Sequence, residues 1–139
     1  MADLVRFGVS LDAALLERFD KLIAGKGYTN RSEALRDLIR DQLVAEEWRG
    51  GNDNAVAVVS LVYDHHRLDL PKRLMQEQHN HHDLVNSALH IHLDHHNCLE
   101  VLVLRGKAKK IKALADSLGS TRGVKHSKQM LTTTASGLE

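Results

Sequence analysis

The chain has little of several residue types, and each scarcity excludes a class of protein. It holds one cysteine among 139 residues, so no disulfide can form within it. A single thiol survives best in a reducing compartment, which predicts a cytoplasmic protein. No apolar run approaches the roughly 18 residues that a membrane-spanning helix needs, and the first residues lack the apolar stretch of a signal peptide. We therefore expect no membrane partner.

Aromatic side chains and excess charge are also scarce. Aromatic residues make up 4% of the chain, so the core must be built from aliphatic side chains. The formal net charge is +1, and the first 50 residues hold slightly more acidic than basic side chains. DNA binding would therefore depend on a few well-placed cations, doubled by symmetry, rather than on bulk positive charge.

Histidine is the residue that the chain has in excess. All but one of its ten histidines lie between residues 65 and 96, and Cys98 follows shortly after them. So dense a run is hard to explain by packing in a small protein. Imidazole nitrogens with a thiolate sulfur are ligands for a borderline transition metal, not for Mg²⁺ or Ca²⁺. The sequence therefore predicts a protein that binds or senses such a metal.

The first segment of the chain predicts one strand followed by two helices. Apolar and polar residues alternate over residues 4–10, as is typical of a half-buried strand. Asp12 can cap the first helix. A second helix begins at Asn30, with Glu33 completing a start that resembles a capping box. Residues 48–54 then close the segment with helix breakers.

This first segment, residues 1–50, is too small to fold alone, because a lone strand is unstable and about 45 residues bury too little surface. Dimerisation solves the problem: two strands pair antiparallel and four helices cover their apolar face. Arg6, Gly8 and Ser10 then point outward from a two-stranded ribbon, which fits the DNA major groove. The alternative is that these three are ordinary solvent-facing residues. We favour a DNA-binding domain.

The second segment, residues 51–139, has the element order βαββαβ of the ferredoxin-like split motif. The fold class is therefore α+β. Open sheets of this kind often pair with another copy, because their edges need protection. The hydrophobic pattern predicts strands over residues 54–63, 84–93, 98–104 and 123–131, and helices over residues 68–78 and 107–118.

Metal ligands of the second segment are predicted to lie on one face of the sheet. His90 and His92 are two residues apart in a strand, so both side chains leave the same face, with Cα atoms about 6.6–6.8 Å apart. A turn then returns the chain, and Cys98 begins the next strand. One protomer thus offers three ligands, and the fourth must come from elsewhere. The candidates for the fourth ligand are His79, His81, His82, His95 and His96.

The ligand types restrict the metal without singling one out. Nitrogen ligands with one thiolate suit Ni(II), Cu(II) or Zn(II), with square-planar geometry favouring the first two. A hydrolytic metalloenzyme is the competing class. Such an enzyme needs an open coordination position on the metal and usually a carboxylate base nearby. Glu100 is near Cys98, but the sequence has no recognisable catalytic spacing, phosphate loop or nucleophile elbow. We therefore predict that the protein is not an enzyme.

Both segments together resemble the nickel-responsive NikR repressors, a bacterial and archaeal family. The most similar stretches are residues 30–37, residues 78–84, and the pair Leu-His-Ile-His at 89–92 and Cys-Leu-Glu-Val at 98–101. The resemblance implies a ribbon-helix-helix dimer over residues 1–50 and an ACT-like domain over 51–139. It also implies a homotetramer, in which central ACT-like domains are flanked by two DNA-binding dimers.

The resemblance further implies a square-planar nickel site, with one Ni(II) per protomer. Its ligands would be His90, His92 and Cys98 of one protomer, completed by His79 of another.

Secondary positions follow from the same resemblance. Tyr63 and His65 match positions near the nickel site that are associated with alternative metal binding, and we place His81 and His82 in the same group. Glu33 and Asp37 match carboxylates that bind a cation, often potassium, at the boundary between the domains. The positions that contact bases in the family are those of Arg6, Gly8 and Ser10, where Gly8 replaces a common threonine.

The residues and the resemblance agree on one function. We expect a nickel-responsive transcriptional regulator that binds a palindromic DNA operator and represses nickel-uptake genes when nickel is bound. The alternatives are a sensor tuned to copper or zinc, a metal buffer or chaperone, and an ACT-type regulator that responds to a small molecule. A buffer would leave the ribbon-helix-helix segment unexplained, and a small-molecule regulator would leave the histidines unexplained.

Overall fold

The computed structural model describes residues 3–67 and 69–139, which form two compact units. One unit consists of the residues up to Leu43 together with Gly137–Glu139, and the other is Val44–Ser136. Four helices and four strands occur in the described residues. In chain order they are α1 (Ala13–Gly25), α2 (Arg31–Gly50), β1 (Asn54–Asp64), α3 (Leu70–Asn80), β2 (Val85–His92), β3 (Asn97–Lys107), α4 (Ala108–Gly119) and β4 (Val124–Thr133).

The two helix starts of the first unit are confirmed. The Asp12 carboxylate accepts hydrogen bonds from the backbone N–H of Ala14 and Leu15, so it caps α1. The Asn30 side chain accepts one from the backbone N–H of Glu33, at 2.9 Å, and caps α2. Both caps satisfy N–H groups that have no partner within the helix.

The strand expected over residues 4–10 is not formed within the single chain. Residues 3–12 make no ladder, and their apolar side chains are exposed, with Val5 at 81%, Phe7 at 68% and Val9 at 62%. Among the described residues no strand pairs with this segment, so the expected ladder, which needs a second copy, stays a prediction.

Helix α2 is longer than the sequence predicted. It continues through residues 48–50, which we expected to break it. The Trp48 indole donates a 2.9 Å hydrogen bond to the carbonyl of Thr132 and packs against the core of the second unit, which outweighs the low helix propensity of the final glycine. The two compact units divide within α2, whereas the domain boundary at residue 50 stays a prediction.

The second unit has the predicted βαββαβ order. Its sheet has strand order β2-β3-β1-β4, and every neighbouring pair is antiparallel. Pro71 lies in the first turn of α3, where its missing N–H costs nothing. Leu68, where this helix was expected to start, lies outside the described residues. β3 runs past its predicted end to Lys107.

The two faces of the sheet differ. Alternate residues of β1 and β3 are buried beneath α3 and α4, and these form the aliphatic core. The other face keeps apolar side chains partly exposed, with Ile91 at 40%, Leu89 at 57% and Met130 at 59%. So large an apolar surface is typical of a face that another protein surface covers.

Candidate metal centre

The pairing of β2 with β3 brings the predicted ligands of one protomer to one face. His92 is directly opposite Cys98, and His90 is directly opposite Glu100. Residues that face each other across an antiparallel pair project their side chains from the same side of the sheet. His90, His92 and Cys98 therefore share the face on which the helices pack.

Cys98 is a buried thiol close to Tyr63 and Glu100. It is 2% exposed and lies opposite Tyr63 in the β1–β3 pair. Burial raises the pKa of the Cys98 thiol above its ordinary value, and a hydrogen bond to Tyr63 works in the opposite direction. A metal must therefore displace the thiol proton to bind, since the ligand is the thiolate.

Glu100 connects the ligand-bearing strands to α3. This carboxylate is 1% exposed; it accepts a 2.7 Å hydrogen bond from the Tyr63 hydroxyl and a 2.6 Å bond from the Gln78 amide. The same oxygen that accepts from Gln78 is 3.6 Å from Nε2 of His90. Burial, followed by the hydrogen bond to Glu100, raises the pKa of Tyr63, so its hydroxyl remains a donor. The contact with His90 is longer than a hydrogen bond, and it places a buried carboxylate beside the ring of a predicted ligand.

The sequence did not predict these contacts of Glu100 and Gln78. Glu100 was considered only as a catalytic base, and Gln78 only as part of a similar stretch. The available signal was the two-residue spacing of Glu100 from Cys98, which places both on one face of a strand. Strand register, which sequence does not give, determines that Glu100 lies opposite His90.

His79 lies in the last turn of α3, and its role as a ligand to a metal shared with another chain stays a prediction. Its ring is 6.3 Å from that of His82, and Nδ1 of His81 is 3.0 Å from the carbonyl of Glu77. Within residues 3–67 and 69–139 of the single chain, no three His, Cys, Asp or Glu side chains surround a common point for a metal. The predicted set needs a second chain for His79, and the exposed rings of His90 and His92 can rotate.

His65 lies beside the predicted site rather than in it. Its ring meets that of His92 edge to face, with centroids 5.2 Å apart. The position fits the expectation that Tyr63 and His65 belong to the surroundings of the metal. Their role in alternative metal binding stays a prediction, as does that of His81 and His82.

The predicted cation ligands of α2 have other partners. Asp37 accepts a 2.6 Å hydrogen bond from the Tyr28 hydroxyl and a longer one from Arg40. These contacts, led by the bond from Tyr28, lower the pKa of the Asp37 carboxyl. Glu33 is in the first turn of α2, one helical turn before Asp37. Potassium binding at this pair stays a prediction.

The predicted base-contacting residues are accessible. Arg6, Gly8 and Ser10 lie in the exposed segment before α1. An open groove beside this segment is lined by Phe7, Val9 and the apolar side chains of both helices.

Comparison with known proteins agrees with this reading of both units. The family described as "Ribbon-helix-helix protein, copG family" matches residues 5–46, and "NikR C terminal nickel binding domain" matches residues 56–132. Relatives from Geobacter sulfurreducens and Geotalea uraniireducens, each named "Putative nickel-responsive regulator", are 58% and 56% identical to the chain; in both cases 99% of each chain is covered.

A solved structure supports the fold alone. An uncharacterized protein from Thermotoga maritima superposes with a TM-score of 0.51 at 19% identity, covering 57% of this chain and 98% of that one.

The two matched domains define a DNA-binding transcription regulator with a nickel-binding domain, not an enzyme. The chain belongs to the NikR family of nickel-responsive regulators. No helix among the described residues is long and apolar enough to cross a membrane.

Proposed function

We propose that the protein represses nickel-uptake genes in the cytoplasm when Ni(II) is bound, by occupying a palindromic operator. The observation that carries this proposal is the direct pairing of His92 with Cys98 across two strands, with His90 on the same face. Two imidazoles and a thiolate at fixed strand spacing suit a square-planar ion such as Ni(II).

The fourth ligand of the proposed site is His79 of another protomer, giving one Ni(II) per protomer. His79 lies at the end of α3 and is not gathered with His90, His92 and Cys98 in the single chain. Nickel bound in this way joins two chains. The metal thus contributes a cross-link between protomers to the proposed assembly. The residues around it hold its ligands: Glu100 faces His90, and Gln78 ties the end of α3 to Glu100.

The proposed assembly is a homotetramer built from two kinds of contact. The segment before α1 needs a second copy, because its apolar side chains are exposed in the single chain. The helix-free face of the sheet offers a second apolar surface that includes Leu89, Ile91 and Met130. Two different self-complementary contacts generate a dimer of dimers.

DNA recognition is assigned to Arg6, Gly8 and Ser10, repeated on the two strands of the ribbon. An arginine in the major groove can bond guanine through two hydrogen bonds, and serine can reach a base edge. Phosphate contacts would supply most of the affinity, so it should fall as salt increases. Nickel acts as a switch if it binds the DNA-competent arrangement better, and a coupling of about 1–3 kcal/mol is typical.

We also propose that Glu33 and Asp37 bind a potassium ion. Two carboxylates one helical turn apart, with Asp37 held ionised by its hydrogen-bond donors, support this assignment. The test is thermal unfolding in potassium against tetramethylammonium at equal ionic strength. The wild type should gain stability in potassium, and a Glu33→Gln variant should not; equal melting of the wild type in both salts would contradict the proposal.

The main experiment is a gel-shift titration on the promoter of the organism's own nickel-uptake genes, at fixed salt. Metal-free protein is compared with protein given Ni(II), Cu(II) or Zn(II). Retardation should appear with nickel, disappear in Cys98→Ala and persist in the control His126→Gln, which changes an exposed histidine on β4. Equal binding with and without metal would contradict the switch. A stronger response to copper or zinc would identify a sensor for that metal.

A further inference from the structure

An open cavity lies at one end of the sheet, where β2 begins, β3 ends and β1 begins. Its volume is about 450 Å³, which is within the range of about 300–1,000 Å³ typical of small-molecule sites. In the β2–β3 ladder, Val85 at this end pairs with Leu104, whereas His92 at the other end pairs with Cys98. At about 3.3 Å per residue, the length of β2 from Val85 to His92 is roughly 23 Å. The cavity is therefore distinct from the predicted nickel site.

The lining of this cavity carries two opposite charges that are not paired with each other. Asp83 and Arg105 both line it, together with the amide side chains of Asn54 and Asn86. Among residues 3–67 and 69–139, neither Asp83 nor Arg105 has an oppositely charged group within 4.0 Å. The side chains of the two asparagines make no hydrogen bond to another described residue either. All four polar side chains are thus available to a ligand.

The backbone around the cavity is held in place by contacts between the strand ends. The N–H of Arg105 donates a 2.8 Å hydrogen bond to the carbonyl of Leu84, whose buried side chain forms part of the lining. A Cβ atom at Gly106 would lie 2.6 Å from Cδ2 of this leucine, so the close approach requires glycine. The register of the β2–β3 ladder shifts around Asn86, and such irregularities often redirect a side chain beside a functional site. The shape of the cavity is therefore set before any ligand binds.

We propose that this cavity binds a free α-amino acid with an uncharged side chain. Opposite charges that are too far apart for an ion pair can both be satisfied by one molecule that carries an ammonium and a carboxylate. The Arg105 guanidinium can bind the carboxylate of the ligand through two parallel hydrogen bonds. The Asp83 carboxylate, which only accepts hydrogen bonds, can take them from the ammonium. A charged side chain of the ligand would find no partner among the other lining residues, which are all uncharged: Asn54, Leu84, Val85, Asn86 and Gly106.

Binding in this cavity should be weak. Asp83 and Arg105 are exposed, and because solvent screens exposed charges, each ion pair with the ligand contributes little. We therefore expect a dissociation constant on the order of 1 mM. The inference goes beyond the proposed repressor function, because a regulator with this cavity binds a ligand that is not a metal, through residues that the repressor mechanism does not use.

The test is a ligand-detected NMR titration of the metal-free, full-length protein with glycine, L-alanine, L-leucine and L-asparagine. Metal-free protein is used because amino acids themselves chelate nickel. At least one of the four should bind saturably. Its N-acetyl derivative lacks the ammonium and its carboxamide lacks the carboxylate, so each derivative should bind several-fold more weakly than the amino acid.

Two variants assign the charges of the ligand to their partners. Asp83→Asn should bind the amino acid no better than the N-acetyl derivative, because the partner of the ammonium is gone. Arg105→Gln should bind the amino acid no better than the carboxamide, because the partner of the carboxylate is gone. The matched controls Asp41→Asn and Arg122→Gln change exposed residues outside the cavity and should bind the amino acid as the wild type does. Circular dichroism checks that every variant is folded.

Three results would overturn the proposal. The first is the absence of binding by all four amino acids to the wild type. The second is equal affinity for the amino acid and its two derivatives, which would show that the charges make no contribution. The third is equal weakening by the cavity variants and their controls. The absorbance band for charge transfer from the Cys98 thiolate to nickel, recorded separately on the same proteins, tests the nickel site, so the two proposals can fail independently.

Discussion

The Tyr63 hydroxyl donates a 2.7 Å hydrogen bond to the Glu100 carboxylate, and both side chains are buried. The other Glu100 oxygen accepts from Gln78 on α3. One carboxylate thus links β1, β3 and the helix that carries His79. A change at Glu100 should therefore affect both the stability of the fold and the geometry of the metal site.

Replacing Glu100 with Gln should weaken nickel binding and lower stability. The amide has one acceptor oxygen where the carboxylate has two, so either Tyr63 or Gln78 loses its partner. An unsatisfied buried donor costs about 1–3 kcal/mol, and loss of a residue that orients a metal ligand costs about 10–100-fold in metal affinity. Urea unfolding of metal-free protein and competition titration with nickel measure the two effects.

The control for this change is Glu17→Gln, which breaks an exposed ion pair with Lys21 on α1. Exposed pairs of this kind contribute about 0.3–0.5 kcal/mol. Equal stability and equal nickel affinity of Glu100→Gln and Glu17→Gln would show that the buried network has no function.

Nickel affinity should rise with pH because of Cys98. Burial raises the pKa of this thiol, so the metal-free site holds a neutral thiol below that raised value. Nickel binds the thiolate and releases the proton, which gives about a tenfold gain in affinity per pH unit for that one proton. Competition titrations at several pH values should show this slope in the wild type. A Cys98→Ala variant with the same slope would assign the proton to another group.

Asp94→Ala should destabilise the protein at neutral pH but not in acid. Hydrogen bonds from the backbone and side chain of Asn97, then from the backbone of His96, lower the pKa of Asp94 to about 2 from 3.8. The folded pKa is depressed, so the stabilisation is present above about pH 4 and is lost as the pH falls towards 2. Urea unfolding across this range should show the wild type converging on the variant. Asp83→Ala, in an exposed turn, is the control; a difference that persists at pH 2 would contradict the account.

Arg6→Ala should abolish operator recognition while leaving nickel binding unchanged. Each arginine–guanine contact contributes about 1–3 kcal/mol of discrimination, and the ribbon carries two copies of the residue. The matched control is Arg18→Ala, an exposed residue of α1. Gel shifts at fixed salt should separate the two variants on operator DNA. The absorbance band for charge transfer from the Cys98 thiolate to nickel should be equally strong in both variants. Weakening by both variants to the same extent would indicate bulk electrostatics instead of base recognition.

The sequence predicted most of the fold because hydrophobic periodicity reports elements that are buried within the chain. The βαββαβ order is such a case, whereas the caps at Asp12 and Asn30 could be predicted from local residue type at a helix start. The strand expected over residues 4–10 is a different case, because the described residues of the single chain give it no pairing partner. Helix α2 continues through residues 48–50 because the Trp48 indole donates a hydrogen bond to the carbonyl of Thr132. These two residues are far apart in the chain, so the local sequence does not predict the contact.

For the candidate site, the sequence predicted that His90, His92 and Cys98 share one face of the sheet, but it did not predict the hydrogen bonds around them. His90, His92 and Cys98 follow from residue type and two-residue spacing. The hydrogen bonds to Glu100 depend on strand register and on where α3 ends, neither of which local sequence specifies. The contacts of the His66 ring with the rings of His65 and His96 likewise depend on two turns that meet at one end of the sheet.

The pairing of His92 with Cys98 places two predicted metal ligands on an edge strand, β2, and on the strand beside it, β3. In the described sheet β2 pairs with one strand, β3, whereas β3 and β1 each pair with two strands. A metal bound by both His92 and Cys98 would cross-link the edge strand β2 to β3. Metal binding should therefore slow the exchange of backbone amide protons with solvent far more in β2 than in β4, the edge strand on the opposite side of the same sheet. The edge strand that carries His92 is thus the one whose motion should report whether the metal is present.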